Sequence, residues 1–162
     1  MEERPDQRRQ MTFSIDVGAP PVEAFALISD IERHGEWSPQ AFEATRLDNG
    51  PISVGTRYRT HGQKGARKGP MRTTEVVVTE FEPPSRFAFE ATEAAGTYRT
   101  TFVISPLGLG SRVDRIVDPP TTGSVAFIRH GLLGSVMLSY VRKNMDALRS
   151  RLDDGPGAKA RT

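Results

Sequence analysis

Residues 133–152 read LGSVMLSYVRKNMDALRSRL. Within them Leu133, Met137, Val141, Met145, Leu148 and Leu152 recur every third or fourth position, which draws one continuous apolar stripe along a helix. The opposite face carries Arg142, Lys143, Asp146, Arg149 and Ser150. The pattern predicts a long C-terminal helix from about Ser124 to Leu152. Gly131 and Gly134 weaken its front by up to about 1 kcal/mol each relative to alanine, which allows a bend or a break there. A helix with one apolar stripe needs an apolar surface to lie on, so the fold turns on what the preceding residues supply.

They supply strands. Asp118-Pro119-Pro120 stops a region, from about Ala41 to Val117, in which apolar residues alternate with period two. The expected strands are Phe42 to Leu47, Gly55 to His61, Met71 to Phe81, Arg86 to Thr92, Thr97 to Ser105 and Ser111 to Val117. Asn49-Gly50-Pro51, Pro83-Pro84, Gly96 and Pro106-Leu107-Gly108-Leu109-Gly110 separate them. Short connections favour an antiparallel meander. Upstream, Phe13, Ile15 and Val17 alternate in one more strand. Pro20-Pro21 then opens a short helix with Val22, Phe25, Leu27 and Ile28 on its apolar face. Asp30 can cap a second short helix that runs toward Trp37 and ends at Pro39. The predicted fold is therefore α+β: a curved antiparallel sheet of about seven strands around a long C-terminal helix, with two short helices after the first strand. A curved sheet cannot touch a straight helix everywhere, and a cavity is expected against Leu133, Met137 and Val141.

The totals set limits. A chain of 162 residues fits one domain. We expect a disordered arm at 1–10, a ligand-binding domain at 11–152 and a disordered tail at 153–162. Net charge is +2, from 22 cations against 20 anions, without the basic excess of a general nucleic-acid binder. No cysteine is present, which removes disulfides, thiolate nucleophiles and Cys-ligated metals and fits a reducing, cytoplasmic setting. No run of about 18 apolar residues suggests a membrane span. The histidines His34, His61 and His130 match no metal spacing, so neither metal nor cofactor is expected. Each histidine reads first as a surface or supporting residue, with an acid–base role as the alternative.

Six short motifs, in order, resemble the START-like helix-grip superfamily and, within it, the polyketide cyclase-like SRPBCC proteins. They are Ala19-Pro20-Pro21-Val22-Glu23-Ala24-Phe25-Ala26-Leu27-Ile28-Ser29-Asp30, Glu36-Trp37-Ser38-Pro39, Val54-Gly55-Thr56-Arg57-Tyr58, Glu80-Phe81-Glu82-Pro83-Pro84-Ser85-Arg86-Phe87, Gly110-Ser111-Arg112-Val113 and Asn144-Met145-Asp146-Ala147-Leu148-Arg149. The likeness spans roughly residues 11 to 152 and implies the helix-grip architecture. Because that superfamily holds lipid carriers, receptors and cyclases alike, it does not choose a function.

The candidate ligand-binding residues are Trp37, Tyr58, Phe87, Phe89, Tyr98, Phe102, Leu133, Met137 and Val141. Trp37, the only tryptophan, is suited both to packing the short helices onto the sheet and to walling a pocket mouth. The strand aromatics are expected on the concave side, where Tyr58 and Tyr98 would orient a polar group or donate a proton to an enolate. Arg57, Arg59 and Arg99 fall on the solvent side by strand parity. Arg57 to Arg72, with Lys64, Arg67 and Lys68 among glycines, is expected to form a mobile basic gate. The leading expectation is a binder of a small hydrophobic or aromatic molecule, lipid or polyketide-like, acting as a monomer or homodimer. The alternatives are a polyketide cyclase or dehydratase using the same pocket, and a protein-interaction module with a vestigial cavity. No catalytic residue is assigned.

Overall fold

The computed structural model describes residues 10–63, 71–93, 96–118 and 132–155, the last stretch with side chains from Leu138 onward. Seven strands form one antiparallel sheet: β1 (Met11–Val17), β2 (Phe42–Arg46), β3 (Arg57–Gln63), β4 (Met71–Glu82), β5 (Arg86–Glu93), β6 (Gly96–Leu107) and β7 (Gly110–Asp118). Their order is β1-β7-β6-β5-β4-β3-β2. The strands after β1 run as a meander, and the first strand returns to pair with the last, Met11 opposite Val117 and Val17 opposite Ser111. That closing pair requires glycine at 110, where a Cβ would lie 2.0 Å from the Val17 carbonyl oxygen. β6 and β7 extend further into the expected turn than their periodicity suggests. Leu107 pairs with Gly110, so Gly108-Leu109 alone makes the connection, with Gly108 at a φ of +58°. The register of β4 against β5 shifts between Val78 and Glu80, a bulge that bends the strand locally.

Between β1 and β2 stand α1 (Pro21–Ser29) and a 3-10 helix (Ile31–Glu36). Pro21 sits in the first turn of α1, where its missing N–H costs nothing. Asp30 accepts from the Glu32 N–H and caps the 3-10 helix as expected. The C-terminal helix α2 (Leu132–Asp153) packs against β1, while α1 lies on β5, β6 and β7. Val141, Met145, Leu148 and Leu152 are buried, and Arg142, Lys143, Asp146, Arg149 and Ser150 are exposed, as the stripe required. Asp153, expected to open the tail, is instead the last helical residue, and its carboxylate accepts from the Gly18 N–H at 2.8 Å. The portion of the predicted helix from 124 to 131 lies outside the described residues, as do positions 1–9 and 156–162.

The sheet has one apolar face. Ile15 and Val17, Val113 and Val117, Phe102 and Ile104, Phe87 and Phe89, Val76 and Val78, and Tyr58 are buried strand by strand beneath the helices. The other face is charged. There Arg112 pairs with Asp16 at 2.8 Å, Arg57 with Asp48 at 2.9 Å, and Glu80 with both Arg86 and Arg99. This one-sided burial explains how a chain with 36% apolar residues still closes a core.

Candidate functional site

Strand register brings the predicted aromatic residues together. Phe87 on β5 lies opposite Phe102 on β6, Phe89 opposite Thr100, and Ala91 opposite Tyr98. Phe87 and Phe89 stand 6.0 Å apart by ring centroid, and Phe25 from α1 meets Phe87 edge-on at 6.5 Å. Tyr58, fully buried on β3, faces the same side, and its hydroxyl has no hydrogen-bond partner. Burial pushes the Tyr58 and Tyr98 hydroxyls up to about 12, so both are protonated donors at neutral pH. Arg57 and Arg59 flank Tyr58 on the exposed face, as parity required. Arg99 lies on that outer face too, half-buried in its ion pair with Glu80.

Trp37 is buried directly after the 3-10 helix and meets Phe102 edge-on at 6.4 Å. It therefore reaches the middle of the sheet, and its indole Nε1–H has no acceptor. His34 corrects an expectation. Its charged sequence neighbours Glu32, Arg33 and Glu36 suggest a surface or supporting residue; instead it is buried, at 8% exposure. The 3-10 turn points those charged neighbours outward and the imidazole inward, 4.6 Å from the Trp37 ring and 6.2 Å from both Phe42 and Phe89. Its Nε2–H donates to the Ile28 carbonyl at 2.8 Å. Burial pushes its pKa down to about 4, so the ring is neutral at physiological pH. His61 is exposed on β3 beside Thr73.

Sequence reasoning missed Arg115. β7 alternates Ser111, Val113, Arg115 and Val117 toward the core, so a cation occupies a position where parity calls for an apolar side chain. That break in the alternation was the available signal. Arg115 lies opposite both Phe102 and Phe13, and its guanidinium carbon stands 5.5 Å from the Phe102 ring centre. Its Nη1 donates to Asn144 Oδ1 on α2 at 2.8 Å, which accounts for a buried asparagine beside the helix stripe. Its Nε–H is cut off from solvent and unpartnered. Burial lowers the Arg115 pKa, and the phenols of Tyr98 and Tyr140 are the groups that oppose this. Arginine nonetheless keeps its charge. Arg115 and Tyr98 are each half-buried.

Val141 is buried on α2, but the side chains of Leu133 and Met137 lie outside the described residues, as does His130. Of the expected basic gate, Arg57, Arg59 and Arg72 lie on β3 and β4, and Arg57 and Arg59 are paired with Asp48 and Glu75. Lys64, Arg67 and Lys68 lie outside the described residues. Among the described residues no three His, Asp or Glu side chains gather as a metal site.

This arrangement, an aromatic inner face covered by α1 with the C-terminal helix along β1 and a polar group set among the rings, has a counterpart in sequence. The family model for polyketide cyclase / dehydrase and lipid transport matches residues 8–153. The chain belongs to that family. No curated protein matches it. The same fold recurs in solved structures that this chain resembles. A protein from Arthrobacter aurescens superposes with a TM-score of 0.71 at 14% identity, over 96% of this chain and 92% of that one. TTHA0849 from Thermus thermophilus gives 0.69 at 20% identity, over 88% and 96%. CV1439 from Chromobacterium violaceum gives 0.69 at 16%, over 91% and 99%. At these identities the likeness extends to the fold alone. Among the described residues no helix is long and apolar enough to cross a membrane.

Proposed function

We propose that this protein binds a small hydrophobic or aromatic molecule between the inner face of the sheet and α2, in the cytoplasm, as a monomer or homodimer. The observation that supports the proposal is that Tyr98 and Arg115, on the inner face of β6 and β7, are only half-buried although the Phe87 and Phe102 rings on the same face are fully buried. Trp37, Phe87, Phe89, Phe102 and Val141 would form the apolar walls beside Tyr98, with Tyr58 deeper under the 3-10 helix. A ligand burying about 300 Å² of apolar surface gains roughly 7 kcal/mol before the costs of association. The walls thus supply affinity, and the donors supply orientation. Freshly purified protein should carry a bound small molecule in native mass spectrometry, and after delipidation should bind an apolar fluorescent dye that fatty or aromatic acids displace. A protein that carries nothing and takes up neither dye nor acid ends this reading.

One observation favours an enzymatic use of the same pocket. With Nε2–H committed to Ile28, the neutral His34 ring keeps its Nδ1 lone pair and can accept a proton, although a pKa of about 4 makes it a weak base at neutral pH. Replacing His34 with glutamine would then abolish turnover of a polyketide-like substrate while leaving dye binding intact. Loss of both together, or of neither, removes the enzymatic reading.

A further inference from the structure

The inner face of the sheet holds, among the described residues, a positive charge with no negative partner. Among the described residues no carboxylate pairs with Arg115, whose hydrogen bond goes to the neutral Asn144, whose guanidinium overlies Phe102 and whose cross-strand neighbours are Phe102 and Phe13. Asp114 and Asp118 flank it on β7 but belong to the opposite face by strand parity, and Asp114 accepts from Ser14 there. The sequence outside the described residues carries carboxylate side chains only at Glu2, Glu3 and Asp6. A buried, unpaired cation costs stability that a hydrophobic residue of the same size would not. Of the unmet groups near Phe102, Thr100 Oγ1 can donate or accept, while the other two have one chemical sense. Arg115 Nε–H and Trp37 Nε1–H are donors only, and Trp37 touches the same ring that Arg115 overlies.

We infer that the ligand is an anion: a hydrophobic or aromatic molecule bearing one acidic group, which Arg115 receives on the inner face of β7 while its apolar body lies along Phe102 and Trp37. This deepens the ligand-binding reading and rests on it. Arg115 acts as a charge anchor and not as a reacting group. Asn144 fixes the guanidinium from α2 through Nη1, and an incoming carboxylate or sulfonate would have to open a path to the enclosed Nε–H to complete the two-pronged geometry that arginine shares with such groups. The anchor also ties ligand to helix, because one guanidinium would hold Asn144 of α2 and the ligand at once.

The test compares two probes that share an aromatic skeleton: anilinonaphthalene sulfonate, which is anionic, and N-phenylnaphthylamine, which is neutral. Fluorescence titrations are run at about 0.5 M salt, where exposed cations are screened within a few ångströms and a buried one is not. The native protein should bind the sulfonate about tenfold or more tighter than the amine, the worth of one charge-assisted hydrogen bond. Arg115→Met should erase that preference, leave the amine's affinity within about twofold, and melt at or above the native temperature because an uncompensated charge has left the interior. Arg115→Lys should keep part of the preference. If the native protein binds both probes equally, or if Arg115→Met retains the preference, the anionic ligand is refuted while the apolar pocket stands. If the native protein binds neither probe, both readings fall. The native comparison decides the matter even if the methionine variant does not fold.

Discussion

Lowering the pH should unfold this protein through His34 before most of its carboxylates contribute. The imidazole titrates at about 4 in the folded chain, because burial and the nearby Arg115 charge together outweigh its hydrogen bond to the Ile28 carbonyl. In the unfolded chain it returns to about 6.5. Below that value the unfolded state takes up a proton that the folded state refuses. The contribution is therefore fully present above pH 6.5 and is lost as pH falls toward 4. Linkage over this interval gives a loss of about 2 kcal/mol by pH 5 and about 3 kcal/mol by pH 4. The assay is urea denaturation of the native protein and of His34→Gln at several pH values from 7 to 4. Glutamine keeps a donor for Ile28 and cannot titrate. The variant's own packing defect cancels when each protein is compared with itself at pH 7. The native protein should lose about 2 kcal/mol more than the variant by pH 5. Parallel loss in the two proteins would refute the claim that His34 is buried and neutral.

Three further perturbations bear on the frame around the site. Leu148→Ala removes a fully buried side chain from the centre of the helix stripe and should cost about 2–5 kcal/mol in denaturant unfolding with an unchanged slope; a cost under about 1 kcal/mol would mean that α2 does not lie on the sheet as described. Gly110→Ala drives a Cβ against the Val17 carbonyl and should destabilise by about 1–3 kcal/mol or more, with early amide exchange in β1; a neutral substitution would refute the close β1–β7 approach. Glu36→Gln breaks the exposed bridge that joins Arg33 of the 3-10 helix to Arg151 of α2, and should cost less than about 1 kcal/mol and less still at high salt; a larger loss would make that bridge a structural clamp.

Period-two alternation placed the strands, and the i, i+4 stripe placed the exposed and buried sides of α2, because both patterns follow directly from one-sided burial. Proline and aspartate marked the short helices, since each acts through its own backbone. What escaped the sequence depends on three-dimensional context. His34 sits among charged residues, and nothing local announces that a 3-10 turn will point it inward beneath Trp37. Arg115 is an isolated break in an alternating strand, easily mistaken for a solvent-facing arginine such as Arg112 three positions earlier. Its place on the inner face follows only from pairing with Phe102 and Phe13. Asn144 reads as one polar residue beside the stripe until Arg115 supplies its partner. Arg57 and Arg59 were legible as outward strand residues from parity, but their pairing with Asp48 and Glu75 depends on how the chain folds back and not on local pattern.

The most direct test of the central claim is a map of ligand contact in solution. Backbone amide shifts would be followed by NMR as anilinonaphthalene sulfonate is added to the delipidated protein. The account expects the largest changes at Tyr98, Phe102 and Arg115 on β6 and β7 and at Val141 and Asn144 on α2, with Arg59, Glu75 and Arg112 of the outer face unmoved. Saturable binding whose largest changes fall on that outer face, with β6, β7 and α2 undisturbed, would contradict it.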